Sequence, residues 1–279
     1  MVQVKKAMMY SIITVMLLLM VVLLSFAYVQ RDALFSDLTG DSFISIKFSR
    51  IQSTIATDYL DIMGIEIESL SSEKMEMNHS FKLSEKDPLP SRLLTEYISY
   101  FENYYAQGNN LYAELGLESF FYIHPFSYSI TRTNHTYLSG LGGQVEKIDV
   151  VAKISENGTY FNDNETIIDY EKGSTGLNIR LYDNSSRELF KFYDEINLTG
   201  TNMFSFQFNP TEPEPGFLIE VEDEDLYIEA FNNLNASVSL FYKFNSSGSK
   251  IYLNTGVPTR LESKQKDFSK EGPITLMTG

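Results

Sequence analysis

The sequence predicts an α+β protein: an N-terminal transmembrane helix, an amphipathic helical stalk, then a mainly antiparallel β-sandwich head. Three observations predict it. Residues 7–29 form an uncharged, strongly apolar run. Apolar residues then recur at helical spacing as far as Met63. From Leu117 onward the apolar period changes to two, interrupted by Asn-, Asp-, Gly- and Ser-rich connections. The expected organisation is a transmembrane or signal-anchor helix over 1–29 and a helical stalk with a short hairpin and second helix over 30–110. A β-sandwich domain over 111–262 and a polar tail over 263–279 complete it.

The first element follows from charge. After Lys5 and Lys6 no charged side chain occurs until Arg31. Ala7 to Val29 is long enough, at about 34 Å as a helix, to cross a hydrocarbon core of about 30 Å. Tyr10 and Tyr28 lie near its two ends, where interfacial aromatics are expected. Lys5 and Lys6 stay cytoplasmic under the positive-inside rule, which places the rest outside. A cleaved secretory signal competes, because Ser25-Phe26-Ala27 offers small residues before Tyr28, but its apolar core is usually about 7–15 residues.

Lys5-Lys6-Ala7 directly before the apolar run resembles the processing site of archaeal type IV prepilins and archaellins. The resemblance covers about the first 25 residues. It implies cleavage after Ala7, retention of the apolar helix, and packing of that helix among others in a filament. Ile12 stands where many pilins carry a Glu.

The next elements are read from spacing. Ile44, Phe48, Ile51, Ile55, Tyr59 and Ile62 lie three or four apart, so Asp41 to Met63 reads as an amphipathic helix that Gly64 stops. It either lies on its own domain or packs against neighbouring subunits. Ile65 to Glu68 alternates, and Ser71-Ser72-Glu73-Lys74 turns it back into Met75–Leu83 as a hairpin. A second helix runs from Ser91 to about Gln107 with Leu94, Tyr97, Ile98, Phe101 and Tyr105 on its face.

Ten strands are expected beyond Leu117: 119–132, 144–155, 177–182, 188–193, 203–208, 217–221, 226–231, 237–244, 250–254 and 258–262. Phe204, Phe206 and Phe208 alternate with Ser205 and Gln207, which puts three rings on one face. Asn162-Asp163-Asn164 reads as a connection and the lysine-bearing tail after Glu262 as loose.

Composition limits the function classes. The chain has no Cys, which removes a disulfide framework, thiolate metal sites and a Cys nucleophile. A net charge of −15 argues against a nucleic-acid partner, because phosphate neutralisation needs a basic face.

Asn-x-Ser/Thr sequons occur at Asn78, Asn134, Asn157, Asn164, Asn184, Asn197, Asn235 and Asn245. Chance placement of 18 Asn and 48 Ser or Thr in 279 residues would produce about three, so eight is an excess. N-glycosylation without disulfides is more natural for an archaeal surface protein than for a eukaryotic ectodomain.

Little in the chain carries chemistry. His79 and His135 sit inside sequons and read as exposed turn residues, and no two His have ligand spacing. No Gly-x-Ser-x-Gly elbow or phosphate loop is present, so no enzyme is expected. Glu222-Asp223-Glu224-Asp225 is the best candidate for a cation, calcium by its oxygen donors, although its spacing is not that of an EF-hand and a solvated turn explains it as well.

The resulting expectation is a single-pass cell-membrane protein with a cytoplasmic N-terminus and an extracellular C-terminal domain. Its partners are the membrane and copies of itself, as a homo-oligomer or filament through the N-terminal helix. The alternative is a non-polymerising surface module that binds a carbohydrate or protein ligand.

Overall fold

The computed structural model describes residues 24–25, 43–83, 90–117, 120–124, 128–132, 136–141, 144–155, 161–208, 215–232, 234–246, 250–264 and 269–278. The chain divides into two compact units, Met1–Ile51 and Gln52–Gly279. The described residues of the first unit are all helical. Apart from Leu24 and Ser25, the proposed span over 7–29 lies outside the described residues, as do Lys5, Lys6 and Ala7. Among the described residues no helix is long and apolar enough to cross a membrane.

Helix α1 covers residues 43–63. Phe48, Ile51, Ile55 and Tyr59 of the expected stripe are buried, and the stripe widens to Ala56, Leu60 and Met63. Gly64 ends the helix at φ +72°, with its amide donating to the Asp61 carbonyl at 3.0 Å. A Cβ at this position would lie 2.1 Å from the Ser80 carbonyl oxygen, so the exit needs glycine for space as well as for φ.

The expected hairpin follows as β1 (Ile65–Leu70) and β2 (Lys74–Leu83). The Ser71 hydroxyl caps its turn, accepting from the Lys74 amide at 3.0 Å. The second helix forms as α2 (Pro90–Tyr100), a π-helical turn (Phe101–Tyr105) and a last short turn α3 (Ala106–Gly108). Leu94, Phe101 and Ala106 are buried, while Tyr104 is 71% exposed.

The β-rich part continues with β3 (Leu111–Glu114), β4 (Phe120–His124), β5 (Tyr128–Arg132) and β6 (Thr136–Ser139). Next come β7 (Val145–Ile154), β8 (Phe161–Asp169), β9 (Lys172–Tyr182) and β10 (Glu188–Ile196). The chain closes with β11 (Asn202–Phe208), β12 (Gly216–Glu222), β13 (Asp225–Phe231), β14 (Ala236–Asn245), β15 (Tyr252–Ser263) and β16 (Ser269–Thr278). They make two sheets. One has six strands in the order β1-β2-β14-β7-β9-β10. The other has ten, β16-β15-β4-β5-β6-β13-β12-β11-β8 with β3 paired to β15. Among the described residues every strand pair is antiparallel except β7–β9, which is parallel.

The two sheets meet through aromatic rings. Phe204, Phe206 and Phe208 are fully buried, as their alternation predicts. Phe190 of β10 lies 4.9 Å from Phe206, and Phe192 lies 4.9 Å from Phe204, both pairs tilted at 58°. Such ring pairs contribute about 0.5–1.5 kcal/mol each beyond their area. They supply cohesion in a chain that has no disulfide.

Several expectations are corrected. The strand expected over 119–132 is two strands, and Pro125, which has no amide to donate, falls between them. Asn162-Asp163-Asn164 is not a connection but part of β8: Asn162 pairs with Gln207 of β11, and Asp163 and Asn164 lie where the β8–β11 register shifts. The tail is not loose from Ser269: β16 pairs with β15 and buries Ile274 and Leu276, an alternation that the lysines obscured. The β1–β2 hairpin belongs to a sheet rather than to a stalk, because β2 pairs with β14 along ten residues of each. His79 is not an exposed turn residue. It is fully buried in β2, 4.8 Å from the Phe81 ring, because the strand period puts odd-numbered residues inside.

Candidate functional site

The sequons lie where side chains leave the core. Asn78, Asn197, Asn235 and Asn245 are each partly exposed, and each is flanked on both sides by buried residues. At Asn78 the flanking residues are Met77 and His79, and at Asn245 they are Phe244 and Ser246. Asn184 is exposed at the tip of the β9–β10 hairpin. Asn164 lies in β8, while Asn134, Asn157 and His135 lie outside the described residues.

Local hydrogen bonds hold several of these amides. The Asn78 Nδ2 donates to Glu68 at 2.5 Å, and the Asn245 Nδ2 donates to Glu146 Oε1 at 2.8 Å. At Asn197 the side-chain oxygen accepts from the Thr199 hydroxyl at 2.9 Å and from the Thr199 amide at 3.2 Å. Asn202, which is fully buried, organises that loop. Its Nδ2 donates to the carbonyls of Asn197 (2.8 Å), Gly200 (3.1 Å) and Val221 (3.1 Å), and its Oδ1 accepts from the Glu171 amide at 3.0 Å. A buried amide whose two N–H donors are shared among three carbonyls, and whose oxygen accepts a fourth backbone group, ties the loop to both neighbouring strands.

The four consecutive acids form a tight turn. Glu222 and Asp225 pair across the β12–β13 hairpin, leaving Asp223 and Glu224 as a two-residue loop at φ +49° and +68°. Positive φ at both positions is the type I′ geometry that closes a twisted hairpin. Glu222 accepts from the Thr201 hydroxyl at 3.0 Å, and Asp225 accepts from the Gly140 amide at 3.1 Å. The Glu224 backbone bonds to Leu198 and Leu141, both at 2.8 Å. Among the described residues no three His, Asp or Glu side chains come together as a metal-holding group. For Glu222, Asp223, Glu224 and Asp225 the geometry fits the solvated turn that the sequence offered beside calcium.

The outer face of the six-stranded sheet carries a feature that the sequence did not reveal. Ser80, Lys82, Val151, Lys153, Ser237 and Ser239 line a depression of about 450 Å³. The register explains it. Ser80, Ser239, Val151 and Arg180 stand in one row across β2, β14, β7 and β9. Lys82, Ser237 and Lys153 stand in the next row. Three serines and a valine leave the middle low, and the long basic side chains stand around it. The Ser80 and Ser239 hydroxyls lie 3.2 Å apart, so their pair leaves one O–H free to donate outward. The Nε of Arg180 is buried and makes no hydrogen bond.

Each strand alone reads as ordinary alternation, so only the cross-strand register could have assembled this group. A signal was present in the outward positions of 80–82, 151–153 and 237–239, which are small or basic in an otherwise acidic chain. Compared with protein-family models, curated proteins and solved structures, the chain matches none.

Proposed function

We propose that this chain is a membrane-anchored, N-glycosylated surface protein whose β-sandwich head does structural and adhesive work outside the cell. The apolar segment over 7–29 anchors it or, after cleavage behind Ala7, packs among copies of itself in a pilin-like filament.

One observation carries the reading. At Asn78, Asn197, Asn235 and Asn245 the asparagine faces outward although both neighbours are buried, and Asn184 is exposed in a turn. A chain that bears glycans needs this arrangement, because an attached saccharide cannot be accommodated in a packed interior. The β9–β10 turn adds support. Ser186 holds φ +63°, a conformation that glycine adopts at lower cost, and its hydroxyl completes the Asn184 sequon.

A second reading, a non-polymerising surface module that binds a carbohydrate or protein ligand, is favoured by the depression that Lys82 and Lys153 flank.

N-terminal sequencing and intact mass of the native protein test the proposal together. A mature start at Met8 supports the filament form, and a start at Met1 or Val2 supports the simple anchor. Hexose-bearing mass at Asn184 or Asn245 supports glycosylation. A start at Tyr28 overturns the anchor, and an unmodified mass overturns the glycoprotein.

A further inference from the structure

We infer that the depression on the outer face of the six-stranded sheet binds an acidic saccharide, a sugar bearing carboxylate groups. The inference supplies a ligand for the carbohydrate-binding reading above, rests on it, and requires Asn78 and Asn235, whose sequons end at Ser80 and Ser237, to leave the depression open.

Charge is the first argument. The protein is strongly acidic, at −15 overall. Yet Lys82, Lys153, Arg180 and Lys191 stand on two adjacent rows of one sheet face. The one acid in those rows is Glu188, at the edge strand opposite Tyr182. Lys153 donates to the Ser186 hydroxyl at 3.3 Å, a neutral partner that leaves its charge uncompensated. A positive site surrounded by negative surface attracts small anions and repels large acidic partners, so it selects by size as well as by sign.

Shape is the second. Lys82 and Lys153 stand two strands apart, about 10 Å between backbones at the usual strand spacing. Between them the floor is made of Ser237, Ser239, Ser80 and Val151. A volume of about 450 Å³ falls within the range of small-molecule sites. Val151 and the lysine stems offer an apolar surface to the C–H face of a pyranose ring. The serine hydroxyls offer donors and acceptors to ring hydroxyls. Arg180, opposite Val151 in the same row, places a further positive charge beside the depression.

The neighbouring depression sharpens the assignment. It is lined by Asp61, Gly64, Ile65, Glu66, Asn78 and Ser80 and is acidic. It repels the same carboxylate, which confines the ligand to the β14–β7–β9 side of Ser80.

The test titrates the full chain, made in a host without N-glycosylation and solubilised in detergent, with trigalacturonate by calorimetry. Maltotriose serves as the neutral trisaccharide and sodium sulfate as the bare anion. Trigalacturonate should bind at least tenfold more tightly than either, and its affinity should fall as salt rises. The double variant Lys82→Ala/Lys153→Ala should lose at least tenfold with an unchanged melting temperature. Ser239→Val, which keeps the charges, should weaken trigalacturonate more than sulfate.

Absence of binding at millimolar trigalacturonate overturns the inference. So does equal binding of maltotriose, or binding that survives the double variant. Sulfate bound as tightly as the trisaccharide reduces the site to an anion patch and overturns the saccharide. If the native protein has the expected start and glycan mass but the titration fails, only this inference falls. If the titration succeeds on a chain that starts at Tyr28 in its native form, the anchored reading falls instead.

Discussion

Buried Asn202 donates through Nδ2 to the Asn197 carbonyl at 2.8 Å, and so fixes the loop that carries a sequon. The same amide serves Gly200, Val221 and Glu171. Asn202→Ala should therefore leave several backbone groups unpaired and cost about 2–4 kcal/mol. Asn202→Asp should cost more at neutral pH, because a carboxylate would face three carbonyl oxygens. Urea denaturation measures both, and an Asn202→Asp protein as stable as the parent would show that the loop does not depend on this hub.

Gly64 and Glu224 both hold positive φ, and substitution should act in opposite directions at the two. Gly64→Ala forces a Cβ onto the Ser80 carbonyl oxygen and should cost about 2–4 kcal/mol. Glu224→Gly removes the left-handed strain of a side chain at φ +68° and should stabilise by about 0.5 kcal/mol after the entropy of a freer unfolded chain is subtracted. Thermal melting of the two variants beside the parent checks the pair. A stabilising Gly64→Ala would overturn the account of the α1 exit.

Calcium should leave the melting temperature unchanged at millimolar concentration. The ion takes roughly six to eight oxygens, and clustered carboxylates must converge to supply them. Here the Thr201 hydroxyl and the Gly140 amide already engage Glu222 and Asp225. A rise of several degrees that Glu222→Gln abolishes would restore the cation site.

Much of the β-rich part was legible because its strands bury one face. Phe204, Phe206 and Phe208 declare their side of the sheet by period alone, and Ile55 and Tyr59 declare a helix face in the same way. What escaped depended on pairing. Asn162 to Asn164 have turn composition, yet they lie inside β8, which β11 pairs on both sides of a register shift, at 161–162 and 167–169. Ile274 and Leu276 are two apolar positions among polar ones, too few to outweigh composition until β15 lies beside them. The buried state of His79 was hidden by the sequon that contains it. The depression at Ser80 and Lys153 combines residues more than 70 positions apart, which only a register can join.

Tyr227 predicts how the β12–β13 sheet responds to alkali. Its hydroxyl donates to Glu229 at 2.8 Å. Burial first, then the hydrogen bond to the Glu229 carboxylate, pushes its pKa up to about 12. The folded chain thus keeps a proton that the unfolded chain releases near pH 10. Between those values the folded state binds more protons, so stability falls as pH rises. The contribution is fully present below about pH 10 and is lost as pH passes 12. Tyr227→Phe should accordingly lower stability at pH 8 by removing the hydrogen bond, yet flatten the decline between pH 10 and 12. Melting temperatures across pH 8–12 for both proteins measure this. Parallel curves for the parent and Tyr227→Phe would show that the alkaline loss arises elsewhere.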